Sequence, residues 1–144
     1  MRKLVLASHG SLAEGMKSAA EMILGTCEKI SAYGLDTYKN PIDIYDIVEK
    51  QISSDEDNEY IVLCDINGGS VHNQMIHLCS HKNVYLLTGM TLSMVLEITL
   101  ESTELKTQKL LEKVIDNAHK NMLIFNYQSV LKRIKEETED DKLW

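Results

Sequence analysis

Two alternating periodicities constrain this chain more than any other feature. Short, almost unbroken apolar runs are followed repeatedly by segments whose apolar residues recur every three or four positions. KLVLA (3–7) reads as a buried strand, and Leu12, Met16, Ala19, Ala20, Ile23 and Leu24 then mark one side of a helix ending before Gly25. KISAYGL (29–35) predicts a second strand. Asn40 and Pro41 suit the cap and first turn of a helix whose apolar face is Ile44, Ile47, Val48 and Ile52. The acidic SSDEDNE (53–59) predicts a solvated connection. YIVLCDI (60–66) is the most strand-like run and leads into Gly68 and Gly69. A helix from Ser70 to about Cys79, a strand NVYLLTG (83–89) and helices near 92–100 and 104–120 are expected to follow. MLIFNY (122–127) predicts a last strand, and the charged residues after Val130 an exposed terminal helix.

Repeated strand–helix units build a mostly parallel sheet with helices on both faces. The expected fold is therefore α/β and doubly wound, and 144 residues suit one domain. Hydrophobic residues at 44% and a single proline fit a chain with a packed core, not a disordered one. The apolar run at Leu4–Ala7 is too short for a signal-peptide core, and no stretch approaches the roughly 20 apolar residues of a membrane span. Cys27, Cys64 and Cys79 are dispersed, which fits reduced thiols and a cytoplasmic location. A net charge of −7 argues against a nucleic-acid partner, because phosphate neutralisation needs clustered Lys and Arg.

In a sheet of this kind ligands collect where the strands end, near a switch in strand order. Three loops fall there: His9–Ser11, Asp65–Ser70 and Thr88–Ser93. Ser11-Leu12-Ala13-Glu14 matches a capping box, with Ser11 as the cap and Glu14 reaching back to it. His9 would then lie beside unpaired N–H groups and the positive end of a helix dipole, a place that disfavours imidazolium and welcomes an anion. On this pattern alone His9 reads equally as a polar turn residue and as a nucleophile that comes to carry phosphate. DINGGS (65–70) adds weight to the second reading. Its glycines can turn N–H groups toward a ligand, and Asp65 could fix the tautomer of an imidazole. A plain tight turn remains the alternative. His72, His77, Cys79 and His81 match no common zinc spacing and read as exposed helix and loop residues, so no metal and no cofactor are expected.

Three segments taken together carry a family resemblance. LVLASHGSLAEGMKSAAEMILG (4–25), IVLCDINGGSVHNQ (61–74) and LLTGMTLSMVLE (86–97) resemble the IIA component of mannose-family sugar phosphotransferase systems, the mannose, fructose and sorbose type. The resemblance implies a IIA domain over residues 1–127, a helical charged tail over 128–144, and a homodimer that exchanges a late antiparallel strand, for which MLIFNY is the candidate. It also implies a phosphocarrier: His9 would accept a phosphoryl group from the carrier protein HPr and pass it to a IIB component during sugar uptake. Asp65 would partner His9, and Gly10, Ser11, Gly68, Gly69 and Ser70 would hold the phosphate. Contact with the membrane would be indirect, through IIC and IID, and IIB is expected to be a separate polypeptide. A phosphodonor subunit of a dihydroxyacetone kinase and a module signalling through His9 phosphorylation are the alternatives. The chain departs from the family pattern at Asn67, Val71 and His72, where an aromatic, a proline and a phenylalanine are usual. It departs again at Thr91, Leu92 and Ser93, where the family usually has an asparagine, an apolar residue and a proline. These departures alter the rim around the phosphate loops, so they bear on the choice of acceptor protein.

Overall fold

The computed structural model describes residues 1–142. Strand β1 (Arg2–Ser8) leads into helix α1 (Leu12–Leu24), then β2 (Ile30–Gly34), a single turn α2 (Leu35–Tyr38) and α3 (Pro41–Ser53). Strand β3 (Glu59–Cys64) is followed by α4 (Ser70–Met75), β4 (Val84–Leu87), α5 (Leu92–Leu100), α6 (Thr107–Lys120) and α7 (Tyr127–Lys142). The four strands form one parallel sheet in the order β2-β1-β3-β4. Register is continuous across it, with Leu4 opposite both Ile30 and Ile61.

Side chains alternate across each strand, so each apolar run supplies two cores. Leu4, Leu6, Ile61, Leu63 and Leu87 pack with α1, α5 and α6, whereas Val5, Ala7, Tyr60, Val62 and Cys64 pack with α3 and α4. Neighbouring strands β1 and β3 thus send their following helices to opposite faces. The crevice between their ends is the switch in strand order where a ligand finds room, and it opens beside Ser8 and Cys64.

Two expectations are corrected. The capping box does not form: Ser11 is the residue before α1, but its side chain makes no cap bond. Ser8 replaces it, its buried hydroxyl accepting the Ala13 N–H at 2.7 Å, because the last strand residue lies under the first turn of the helix. Glu14 instead reaches across to β2, where Oε1 accepts the Gly34 N–H at 2.8 Å. The helix expected to reach Cys79 stops at Met75 and tightens into a 3₁₀ turn over Ile76–Ser80, which keeps Met75 and Leu78 both against the sheet.

The expected last strand is not formed within the single chain. Residues 122–126 are irregular, and α7 starts at Tyr127. An extended segment becomes a strand only beside a free sheet edge; β4 offers one, but among the described residues no strand pairs with it there. Met122, Leu123, Ile124 and Phe125 are consequently exposed, Ile124 to 90%. Among the described residues no helix is long and apolar enough to cross a membrane.

Candidate phosphoryl-transfer site

His9 is the first residue beyond β1 and Asp65 the first beyond β3, and the register that sets Ala7 opposite Cys64 brings them side by side. One carboxylate oxygen, Asp65 Oδ2, accepts the His9 backbone N–H at 2.8 Å and lies 2.7 Å from His9 Nδ1. Its other oxygen accepts the Ile66 N–H at 3.0 Å. Burial pushes the Asp65 carboxyl up, but the hydrogen bonds from the His9 backbone, the His9 ring and the Ile66 N–H outweigh it and hold the group below the ordinary aspartate value. An ionised carboxylate only accepts, so Nδ1 carries the proton and the lone pair of the neutral ring is on Nε2. The Asp65 side chain is 8% exposed and that of His9 44%, so the pair has a buried anchor and an accessible imidazole.

The glycine loop after Asp65 covers the accessible side of the ring. Ser70 Oγ lies 3.2 Å from His9 Nε2. A Cβ on Gly69 would stand 3.0 Å from His9 Cε1 and 2.9 Å from Ile66 Cγ1, so only glycine lets the loop approach the imidazole this closely. Gly68 is adjacent, but its N–H is taken by His72 Nδ1 at 3.0 Å and does not point freely at the site. On the other flank, Gly10 turns the chain with its carbonyl accepting the Asp36 N–H at 3.2 Å. Ser11 is exposed at the mouth. Of the seven residues named from the sequence, His9, Asp65, Gly69 and Ser70 converge, while Gly10, Ser11 and Gly68 frame them.

The third loop serves the framework. Met90 N–H donates to Cys64 O at 3.2 Å, tying it to the end of β3, and Thr91 Oγ1 accepts the Met94 N–H at 3.2 Å as the cap of α5. Glu97 accepts from Asn117 Nδ2, joining α5 to α6. His81 is engaged by Glu49, 2.8 Å from Nε2, far from the Gly68 contact of His72 in the fold. Among the described residues no group of three or more His, Cys, Asp and Glu side chains is arranged to hold a metal ion. Three contributors escaped the sequence reading: Ser8, Asn73, whose Nδ2 donates to Gly68 O at 3.3 Å, and Glu14 in its actual role. A polar residue in the first turn after a glycine pair was a usable signal for Asn73; nothing local distinguished Ser8 from Ser11.

A groove of about 640 Å³ runs along the open edge of β4, lined by Asn67, His72, Ile76, Leu86, Ile115 and His119 among others.

The chain is similar to proteins of one known family. A family model described as the phosphotransferase system fructose IIA component matches residues 3–115. The sorbose-specific EIIA component of a phosphotransferase system from Klebsiella pneumoniae is 28% identical over 95 residues, 65% of this chain and 70% of that protein. The crystal structure of phosphotransferase system component EIIA from Streptococcus agalactiae superposes with a TM-score of 0.78 at 26% identity, covering 87% of this chain and 98% of the other. The mannose/sorbose-specific IIA subunit from Enterococcus faecalis, at 20% identity and a TM-score of 0.73 over 87% and 95% of the two chains, shares the fold.

Proposed function

The chain belongs to the fructose- and mannose-type IIA family of the sugar phosphotransferase system, and from that premise we propose that His9 is its phosphoryl acceptor, charged by phospho-HPr and discharged to a IIB component. The observation that carries the reading is the single carboxylate oxygen of Asp65 held by both the backbone and Nδ1 of His9, which leaves Nε2 open beside Ser70 Oγ. In the forward step the Nε2 lone pair attacks phosphorus in line, the P–N bond to the HPr imidazole breaks, and that imidazole leaves with the electron pair. As Nε2 becomes substituted, positive charge develops on the His9 ring, and the Asp65 carboxylate stabilises it through Nδ1–H. The Ser70 hydroxyl is placed to donate to a phosphoryl oxygen. Discharge is the same step with a IIB histidine as nucleophile. One imidazole hands the group to another, so positioning within a transient protein complex supplies most of the catalysis. Sugar is handled downstream, by membrane components IIC and IID, with this protein working on the cytoplasmic side.

The relay unit is assigned to residues 1–127 and the C-terminal helix and charged tail to 128–144, of which 143–144 lie outside the described residues. A homodimer that exchanges MLIFNY is also part of the proposal. The unpaired edge of β4, the groove beside it and the exposed apolar residues 122–125 support it, since an antiparallel partner strand would bury all three.

The test is incubation with phosphoenolpyruvate, enzyme I and HPr, followed by intact mass. One acid-labile phosphoryl group is expected, absent from His9→Ala. Label persisting in that variant would falsify the assignment.

A further inference from the structure

His72 stands where the related pattern has a phenylalanine, and it does something a phenyl ring cannot. Its Nδ1 accepts the Gly68 N–H at 3.0 Å. A ring nitrogen accepts only through its lone pair, so the proton of the neutral imidazole is on Nε2. The next residue holds the other polar group of the same glycine: Asn73 Nδ2 donates to Gly68 O at 3.3 Å, and Asn73 N–H donates to Gly69 O at 2.9 Å. Two consecutive residues in the first turn of α4 therefore grip the glycine loop at three points. The next two residues lie beside the imidazole of His9: a Cβ on Gly69 would stand 3.0 Å from Cε1, and Ser70 Oγ lies 3.2 Å from Nε2.

We infer that His72 is a positioning residue for phosphoryl transfer at His9: by holding the Gly68 amide it fixes the turn that presents Gly69 and Ser70 to Nε2. The inference rests on the reading of His9 as the phosphoryl acceptor. It has a chemical consequence. The Gly68 N–H is occupied by the clamp, so the phosphoryl oxygens are left to Ser70 and to other amides of the two loops.

The test compares the wild-type protein with His72→Phe, which fills the space of the ring without an acceptor, and His72→Asn, whose Oδ1 takes the place of Nδ1. In single-turnover transfer from phospho-HPr, His72→Phe is expected to lower the limiting rate roughly tenfold while the half-saturating concentration of phospho-HPr stays unchanged. His72→Asn is expected to recover to within about threefold of wild type. Hydrogen exchange at the Gly68 amide should quicken in His72→Phe and not in His72→Asn. Wild-type rates in His72→Phe, or equal slowing in both variants, would overturn the clamp. Labelling the same proteins with phosphoramidate, a phosphoryl donor that needs no partner protein, separates the two readings. Failure of phospho-HPr to label the wild type sinks the relay. Equal phosphoramidate rates in all three proteins sink the role of His72.

Discussion

At the scale of single residues, the site reduces to one carboxylate oxygen that serves a backbone N–H and a ring nitrogen of the same histidine. An amide at position 65 could still accept through its oxygen but would not stabilise the charge that the proposed transfer would develop on His9. Asp65→Asn is therefore expected to slow phosphoryl acceptance by roughly 10- to 100-fold without unfolding the protein, as read by rapid-quench labelling. Unchanged kinetics would remove Asp65 from the mechanism. The identities of His9, Asp65, Gly69 and Ser70 were legible in the sequence because each follows directly on a recognisable strand or opens a recognisable helix. Ser11 was misread for a physical reason: S-x-x-E describes a cap only if the glutamate turns back. Here Glu14 finds the Gly34 N–H on the neighbouring strand, and its other oxygen is enclosed without a partner.

At the scale of elements, two contacts make the end of β2 part of the site's support. A Cβ on Gly34 would stand 2.2 Å from the Gly10 carbonyl oxygen and 2.4 Å from Glu14 Oε2, and the first of these atoms is backbone that cannot swing away. Gly34→Ala is expected to cost at least about 2 kcal/mol of stability, measured by urea unfolding, and to loosen the His9 turn with it. The opposite end of the sheet is tied by Asp55. Hydrogen bonds from Lys3, Tyr60 and Asn58 draw its carboxyl down to about 2. A folded value below the unfolded one means stability that is complete above the ordinary aspartate range and is lost as pH falls through the folded value. The stability advantage of the wild type over Asp55→Asn should accordingly shrink between about pH 4 and pH 2, followed by thermal unfolding, and be constant above that window. The longer helices and the four strands of the sheet were legible to within a few residues because their apolar periodicities are local. The single turn α2 was not, since Leu35–Tyr38 carries no repeat of its own and is held by the Asp36 N–H bond to Gly10 O.

At the scale of the whole molecule, the chain presents an open sheet edge, a groove beside it and exposed apolar residues at 122–125, which the proposed exchange between two copies would bring together. Ile124→Asp is expected to convert a dimer to a folded monomer in sedimentation experiments; a monomeric wild type would dismiss the exchanged strand. Local pattern was enough to locate the four strands of the sheet, the longer helices and the three loops at the strand ends, because apolar periodicity needs no distant partner. Only the tertiary structure decided which donor meets which acceptor. Ser8 caps α1, Glu14 serves β2, His72 takes the Gly68 amide, and residues 122–126 pair with no strand among the described residues. Such pairings depend on register between segments distant in sequence, as the 56 positions separating His9 from Asp65 illustrate. A shift of one residue in that register would exchange every partner while leaving the local pattern untouched.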